Sequence, residues 1–179
     1  MHIRPQRPDD AISVRTVLTD AFTDDGRVAD LADALLARSD RPEAAFVAEA
    51  EGAVVGHVQP SRSWVDAAAA LVEVLVLSPL AVAPTWQRRG IGAALCAAGV
   101  DRARELDVPA VFLEGDPRYY SRLGWERASR HGFSAPSSRI PDGAFQVIVF
   151  PGRQAWMSGA LVYNDTFWRL DCVGLRRGD

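Results

Sequence analysis

The sequence predicts an α/β (α+β) domain in which a central sheet is flanked by helices. Three observations carry this. Strand-like and helix-like segments follow one another along all 179 residues. The stretch LVEVLVLSPLAVAP, from Leu71 to Pro84, is too continuously apolar to alternate in and out, so it belongs in the middle of a sheet covered on both faces. That strand then runs into a glycine loop and a helix rich in small residues, which allows close approach of the helix to the sheet. With 48% hydrophobic and 24% charged residues, the composition is globular. The length suits one domain of ordinary size with a substantial core, and residues 1–179 are read as a single domain.

The elements follow in order. Residues 2–7 are a short first strand anchored by Ile3, and Pro8-Asp9-Asp10 gives a turn and a helix N-cap. A first helix covers Ala11 to Phe22, with Ile12, Val14, Val17, Leu18 and Phe22 at helical spacing. Thr23-Asp24-Asp25-Gly26 breaks it. A second helix, Arg27 to Arg38, buries Val28, Leu31, Leu35 and Leu36 and ends at Ser39-Asp40-Arg41-Pro42. A hairpin follows, with strands Ala44–Ala50 and Ala53–Gln59 about Glu51-Gly52. His57, on its second arm, is read as a half-exposed strand histidine.

Pro60 to Asp66 is read as a loop, in which Trp64 covers the core or walls a substrate site. In the central strand Pro79 cannot donate to a ladder, so it marks a bend, a bulge or an unpaired point. The next helix, Gly90 to Leu106, buries Ile91, Leu95, Ala98 and Leu106, with Cys96 as a small core residue. Ala110–Leu113 is a buried strand. Asp116 as N-cap, Pro117 as first helical residue and Gly124 as C-terminal glycine delimit a short helix carrying Tyr119, Tyr120 and Leu123. A strand begins at Trp125. After a loop-rich stretch, Ala144–Phe150 is a strand, Trp156–Val162 a short helix or strand, and the apolar tail Tyr163, Phe167, Trp168 packs back on the domain.

Chemistry concentrates between the central strand and its helix. Gln87-Arg88-Arg89-Gly90-Ile91-Gly92 leads into Ala93. Free N–H groups at a helix start, glycines that permit close approach and neighbouring arginines suit a phosphate or pyrophosphate. This segment resembles the acetyl-CoA motif of the GNAT family of N-acetyltransferases, Gln/Arg-x-x-Gly-x-Gly/Ala, and fits it in full. Leu80-Ala81-Val82-Ala83-Pro84 resembles the strand ending that precedes the motif. Val55-Gly56-His57 resembles the glycine-bearing arm of the family's hairpin. Tyr120-Ser121-Arg122-Leu123-Gly124-Trp125 resembles its Tyr-x-x-x-Gly-Phe segment, with tryptophan for phenylalanine. Gly115-Asp116-Pro117 alongside these is similar to the YhbS-like branch. Many relatives carry a pantetheine-contacting asparagine in that region; here Gly115-Asp116-Pro117 occupies it, and the asparagine's role is not carried over. The resemblance covers residues 44–150 well.

The resemblance implies a single GNAT-type domain with a mixed, mostly antiparallel sheet and splayed central strands. It implies an N-acetyltransferase that moves the acetyl group of acetyl-CoA, a co-substrate, to an amine by direct attack in a ternary complex, with no metal. The backbone from Arg88 to Ala93, with Gln87 and the arginine side chains of Arg88 and Arg89, would then hold the pyrophosphate around Gly90, Ile91 and Gly92. Main chain at Leu80, Ala81 and Val82 would pair with the pantetheine amides like an added strand, and the N–H near Leu80 or Val82 would receive the thioester oxygen. Tyr120, whose ordinary pKa near 10 keeps it protonated, is the candidate acid for the departing thiolate, or else packs against the cofactor. Glu73, the carboxylate in the apolar run, is the candidate base acting through water, because a buried acid needs a partner. His57 is a weaker candidate.

The alternative is a catalytically inactive CoA-binding regulatory module; retention of Tyr120 favours the enzyme. A plain structural α/β domain does not explain two motifs in family order. A Rossmann site is disfavoured because no Gly-x-Gly-x-x-Gly occurs. The acceptor is read as a small-molecule or peptide amine, with Trp64, Trp125, Phe133 and Trp156 suggesting an aromatic wall. A homodimer, common in the family, would use the apolar tail. The net charge of −3 argues against nucleic acid as a partner, and all the basic side chains are arginines. No apolar run approaches the roughly 20 residues that span a bilayer, MHIRPQRPDD lacks a signal-peptide core, and Cys96 and Cys172 have no metal-type spacing. No membrane partner and a cytoplasmic location are the expectations.

Overall fold

The computed structural model describes residues 1–23, 26–38 and 45–174. The breaks expected at 24–25 and 39–42, and the strand start at Ala44, lie outside the described residues. The chain gathers into two compact units, one of residues 1–61 and 77–102, the other of residues 62–76 and 103 onward. The first holds β1 (His2–Pro5), α1 (Ala11–Ala21), α2 (Arg27–Arg38), β2 (Phe46–Ala50) and α3 (Ile91–Glu105). The second holds β5 (Ala110–Glu114), α4 (Pro117–Tyr120), β6 (Glu126–Arg127), β7 (Phe133–Ser134), β8 (Phe145–Val149), β9 (Gly159–Val162) and α5 (Asp165–Arg169). Two long strands, β3 (Ala53–Ala67) and β4 (Leu71–Val82), contribute to both.

Hydrogen bonding runs β1-β2-β3-β4-β5-β8-β6, with β9 beside β3 and β7. The pairings β1–β2, β2–β3, β3–β9, β5–β8 and β6–β8 are antiparallel; β4–β5 and β7–β9 are parallel. The expected mixed, mostly antiparallel sheet flanked by helices is therefore observed. Its central strands also splay. The β4–β5 register holds at Leu75–Val111 and Val76–Phe112, and β4 runs on to Val82 without it. Pro79, joined to Ser78 by a cis peptide bond, lies just past the last of these rungs.

In the first unit, side-chain alternation assigns each helix a face. Val47 and His57 are cross-strand partners, as are Ala48 and Gly56. Val47 packs with Val14, Val17 and Leu18 of α1, Ala29 and Ala32 of α2, and Ala81. On the other face, a Cβ at Gly56 would lie 2.8 Å from Leu95 Cδ1, 3.3 Å from Ile91 Cγ2 and 3.2 Å from the Ala81 carbonyl. The glycine is what lets α3 lie directly on β3. His57 points to the opposite face and is fully buried, which corrects the half-exposed expectation. Its Nε2 meets Gln6 Oε1 at 3.1 Å, and burial pushes its pKa down to about 3. It is a neutral core residue with no base to offer.

The second unit closes around Phe112, which meets Phe133 edge-on at 4.9 Å and stacks on Phe145 at 5.5 Å. Trp125 and Phe133 are core residues, not pocket walls. Tyr163 and Phe167 are buried against each other, so that part of the tail packs back, whereas Trp168 is exposed; Asn164 caps α5 through the Thr166 N–H at 3.0 Å. The segment 60–66 is not a loop but the continuation of β3. Pro60 misled because it cannot donate, yet it falls where β3 exchanges partners: β2 ends at Val58 and β9 begins at Trp64. Cys96 is buried, as expected. No helix among the described residues is long and apolar enough to cross a membrane.

Replacing Gly56 by alanine should cost about 1–3 kcal/mol in denaturant unfolding, because α3 must shift to admit the methyl group. Unchanged stability would show that α3 is not seated on the glycine. His57 makes stability fall with acid. Below about pH 6.5 the unfolded histidine binds a proton that the folded one refuses until about pH 3, so stability rises with pH across that window. A His57→Leu protein should show a shallower pH dependence of its unfolding midpoint there.

Candidate active site

The turn from β4 into α3 is built by local rules. Pro84–Trp86 form a 3₁₀ turn, closed by the Trp86 N–H on the Ala83 carbonyl at 2.8 Å. Ala83 N–H donates to Val55 O at 2.9 Å, pinning the end of β4 to β3. Gln87 then folds back: its Nε2 donates to Val82 O at 3.1 Å, tying the loop to the strand it left. Arg88 and Gly90 take left-handed conformations, φ +61° and +81°. The first i→i−4 bond of the helix, Ala94 N–H to Gly90 O, is 3.1 Å. The N–H groups of Ile91, Gly92 and Ala93 lie ahead of it and have no partner within the helix. They open beside residues 87–90, all exposed. Arg89 stacks its guanidinium on Trp86 at 4.7 Å, and Arg88 beside it is exposed as well.

Helix-start donors at the positive end of a helix dipole, with arginine beside them, suit a pyrophosphate. The first unit thus brings together Leu80, Ala81, Val82 and Gln87 to Ala93, with Ala81 and Val82 buried and Leu80 half-buried. A separate groove of about 550 Å³ in this unit lies between α1, the β2–β3 turn and Trp86. Its arginine, Arg4, is spent on Asp10 at 2.7 and 2.8 Å and on Glu49 at 2.8 Å, so it offers no anion site.

Glu73 and Tyr120 lie in the second unit. Glu73, near the start of β4, is not a buried acid. Its side chain is 36% exposed and ion-pairs with Arg62 at 3.1 Å. Tyr120 is the last residue of α4, whose start is capped as expected, Asp116 Oδ1 accepting from the Arg118 N–H at 2.9 Å. Gly124 ends the following 3₁₀ turn in a left-handed conformation, again as expected. The Tyr120 ring is half-buried and lies against Gly115, Tyr119 and Trp125.

Sequence reasoning missed Glu114, the last residue of β5. It is partly buried, accepts the Tyr163 hydroxyl at 2.5 Å and also receives the Gly174 N–H. Burial raises its pKa above the ordinary carboxylate range, against the opposing pull of the Tyr163 hydroxyl, the Gly174 N–H and Arg139. Burial, then the adjacent carboxylate, also pushes the Tyr163 phenol well up, so it stays a donor. An acid directly before a glycine in a strand-to-helix turn was the available signal, but its partners are 49 residues and more away. No group of three His, Cys, Asp or Glu residues suited to a metal occurs among the described residues.

The family description "Acetyltransferase (GNAT) family" matches residues 12–125. The chain is similar to the uncharacterized N-acetyltransferase YjhQ of Escherichia coli, 36% identical over 129 residues that cover 71% of each chain. It is similar to the uncharacterized N-acetyltransferase YhbS of Escherichia coli, 32% identical over 154 residues, 82% of this chain and 86% of that one. Among solved structures it resembles YhbS in complex with CoA, with a TM-score of 0.79 at 28% identity over 94% of this chain and 92% of that one. A GNAT family acetyltransferase from Brucella melitensis in complex with acetyl-CoA gives 0.72 at 28% identity, over 93% and 97%.

Proposed function

The chain belongs to the acetyltransferase (GNAT) family, and from that premise we propose that it transfers the acetyl group of acetyl-CoA to the amine of a small molecule or peptide, by direct attack in a ternary complex, in the cytoplasm. The observation that carries this is the turn from β4 into α3, where left-handed Arg88 and Gly90 expose the leading N–H groups of the helix. Acetyl-CoA supplies an activated thioester. The N–H groups of Ile91, Gly92 and Ala93, with Arg88, hold its pyrophosphate, while Gln87 and Arg89 shape the turn. Main chain at Leu80, Ala81 and Val82 receives the pantetheine amides, and an N–H near Leu80 or Val82 the thioester oxygen.

Tyr120, protonated at neutral pH, gives its proton to the departing thiolate. For the amine's proton, Glu73 is less favoured because its carboxylate is engaged by Arg62 at 3.1 Å. Glu114 is the stronger choice. Its surroundings raise its basicity, and the Tyr163 hydroxyl fixes its orientation.

Calorimetric titration of acetyl-CoA into the protein, followed by thiol release with a panel of amines, tests the whole proposal. Binding in the micromolar range with release of free CoA is expected. Binding without release with any amine would indicate a regulatory CoA-binding module instead. Gly90→Val, which forces a β-branched residue into a left-handed backbone, should raise the KM for acetyl-CoA about tenfold or more, equivalent to about 1.4 kcal/mol of binding. Tyr120→Phe should lower kcat about 10²-fold, and an unchanged kcat would remove the acid assignment. Glu114→Gln can still accept from the Tyr163 hydroxyl through its amide oxygen, yet it cannot take a proton. It should abolish the acidic limb of the kcat/KM profile, which in the wild type should fall above the ordinary glutamate value of about 4.3.

A further inference from the structure

The antiparallel ladder between β5 and β8 continues one rung past the strand: Glu114 faces Phe145, and the Gly115 N–H donates to Ala144 O at 3.0 Å. Gly115 therefore shares a face with Leu113, whose cross-strand partner is Gln146. Gln146 is an amide between Phe145 and Val147 in a strand otherwise apolar at that point, and it is only 1% exposed. Its Nε2 donates to Gly115 O at 3.2 Å. A buried amide is costly unless bonded, so this contact fixes the glycine where the ladder ends.

The hydrogen of Gly115 faces Tyr120. A Cβ there would stand 2.2 Å from Tyr120 Cε2, 2.7 Å from Cδ2 and 3.3 Å from Cζ. Gly115 is not in the left-handed region, so the glycine serves the ring and not the turn. Tyr119, edge-on at 4.9 Å, and Trp125, edge-on at 6.2 Å, also lie against the ring. The backbone of Tyr120 is held at both ends, its N–H on Asp116 O at 3.1 Å and its carbonyl by the Trp125 N–H at 3.2 Å. With the main chain held, the contact with Gly115 sets where the phenol oxygen sits.

We infer that Gly115 and Gln146 form a seat that positions the Tyr120 phenol, and that both are positioning residues for its proton transfer. This rests on the reading of Tyr120 as the acid. Alanine at Gly115 carries no left-handed backbone strain, so its effect reports displacement of the ring. Gln146→Met is close in volume and lacks the donor.

The test uses the full chain labelled with 3-fluorotyrosine. It has three tyrosines, and the ¹⁹F resonance lost in Tyr120→Phe identifies the one at issue. Gly115→Ala and Gln146→Met should each move that resonance and its titration midpoint. In thiol release from acetyl-CoA, Gly115→Ala should lower kcat between about 10- and 100-fold, with the KM for acetyl-CoA within about twofold. Combined with Tyr120→Phe, it should bring no further loss. An unmoved resonance, or a loss that is just as large in the Tyr120→Phe background, overturns the seat. A Tyr120→Phe protein with unchanged kcat overturns the acid reading and the seat's catalytic role together. Failure of the seat alone is distinct, since Tyr120→Phe is then slow while Gly115→Ala is not.

Discussion

A strand buried on both faces sets the terms for the rest of this molecule. β4 carries Val72, Val74, Leu75, Val76 and Leu77 into the core from alternating sides. Such a strand needs cover above and below, and its backbone must be paired along its length or emerge where something else can use it. The short parallel register with β5, the exit past Pro79 and the turn into α3 all follow from how that strand ends. Glycine at position 56 of β3 answers the same demand from the neighbouring strand, since α3 can cover the sheet closely only where no side chain intervenes.

The buried polar groups divide by what they hold. His57 spends one nitrogen on Gln6 and is kept neutral by burial, which makes it a structural element with an acid-sensitive cost. Gln146 spends its amide on the backbone of Gly115, next to the ring of Tyr120. Glu114 is held by Tyr163 and Gly174, so the C-terminal segment reaches back to the end of β5. The carboxylate and Tyr120 lie on opposite faces there, because Glu114 and Gly115 are successive residues of one continuing ladder.

Much of this was legible in the chain itself. The two-sided burial of β4, the loop from Gln87 to Gly92, the capped helix from Pro117 and the glycine at 124 depend on neighbours close in sequence, and short-range rules describe them well. Periodicity also placed α1, α2 and α3 to within a residue or two. What failed was what depends on partners distant in sequence. Pro60 read as a loop because its missing donor is a local fact, whereas the gap between β2 and β9 that tolerates it is not. His57 read as half-exposed because nothing beside it announces the helices that cover its face.

The sequence by itself determined the order of elements, the phosphate-suited turn and the family to which the chain belongs. Each is written in contiguous residues or in motifs of fixed spacing. Tertiary structure alone decided which partners the polar residues meet. It gave Arg62 to Glu73, brought Tyr163 to Glu114 and laid Gln146 against Gly115. The reason is physical: the basicity of a carboxylate and the position of a phenol are set by burial and by groups that meet them through space, and neither is encoded by the residues on either side.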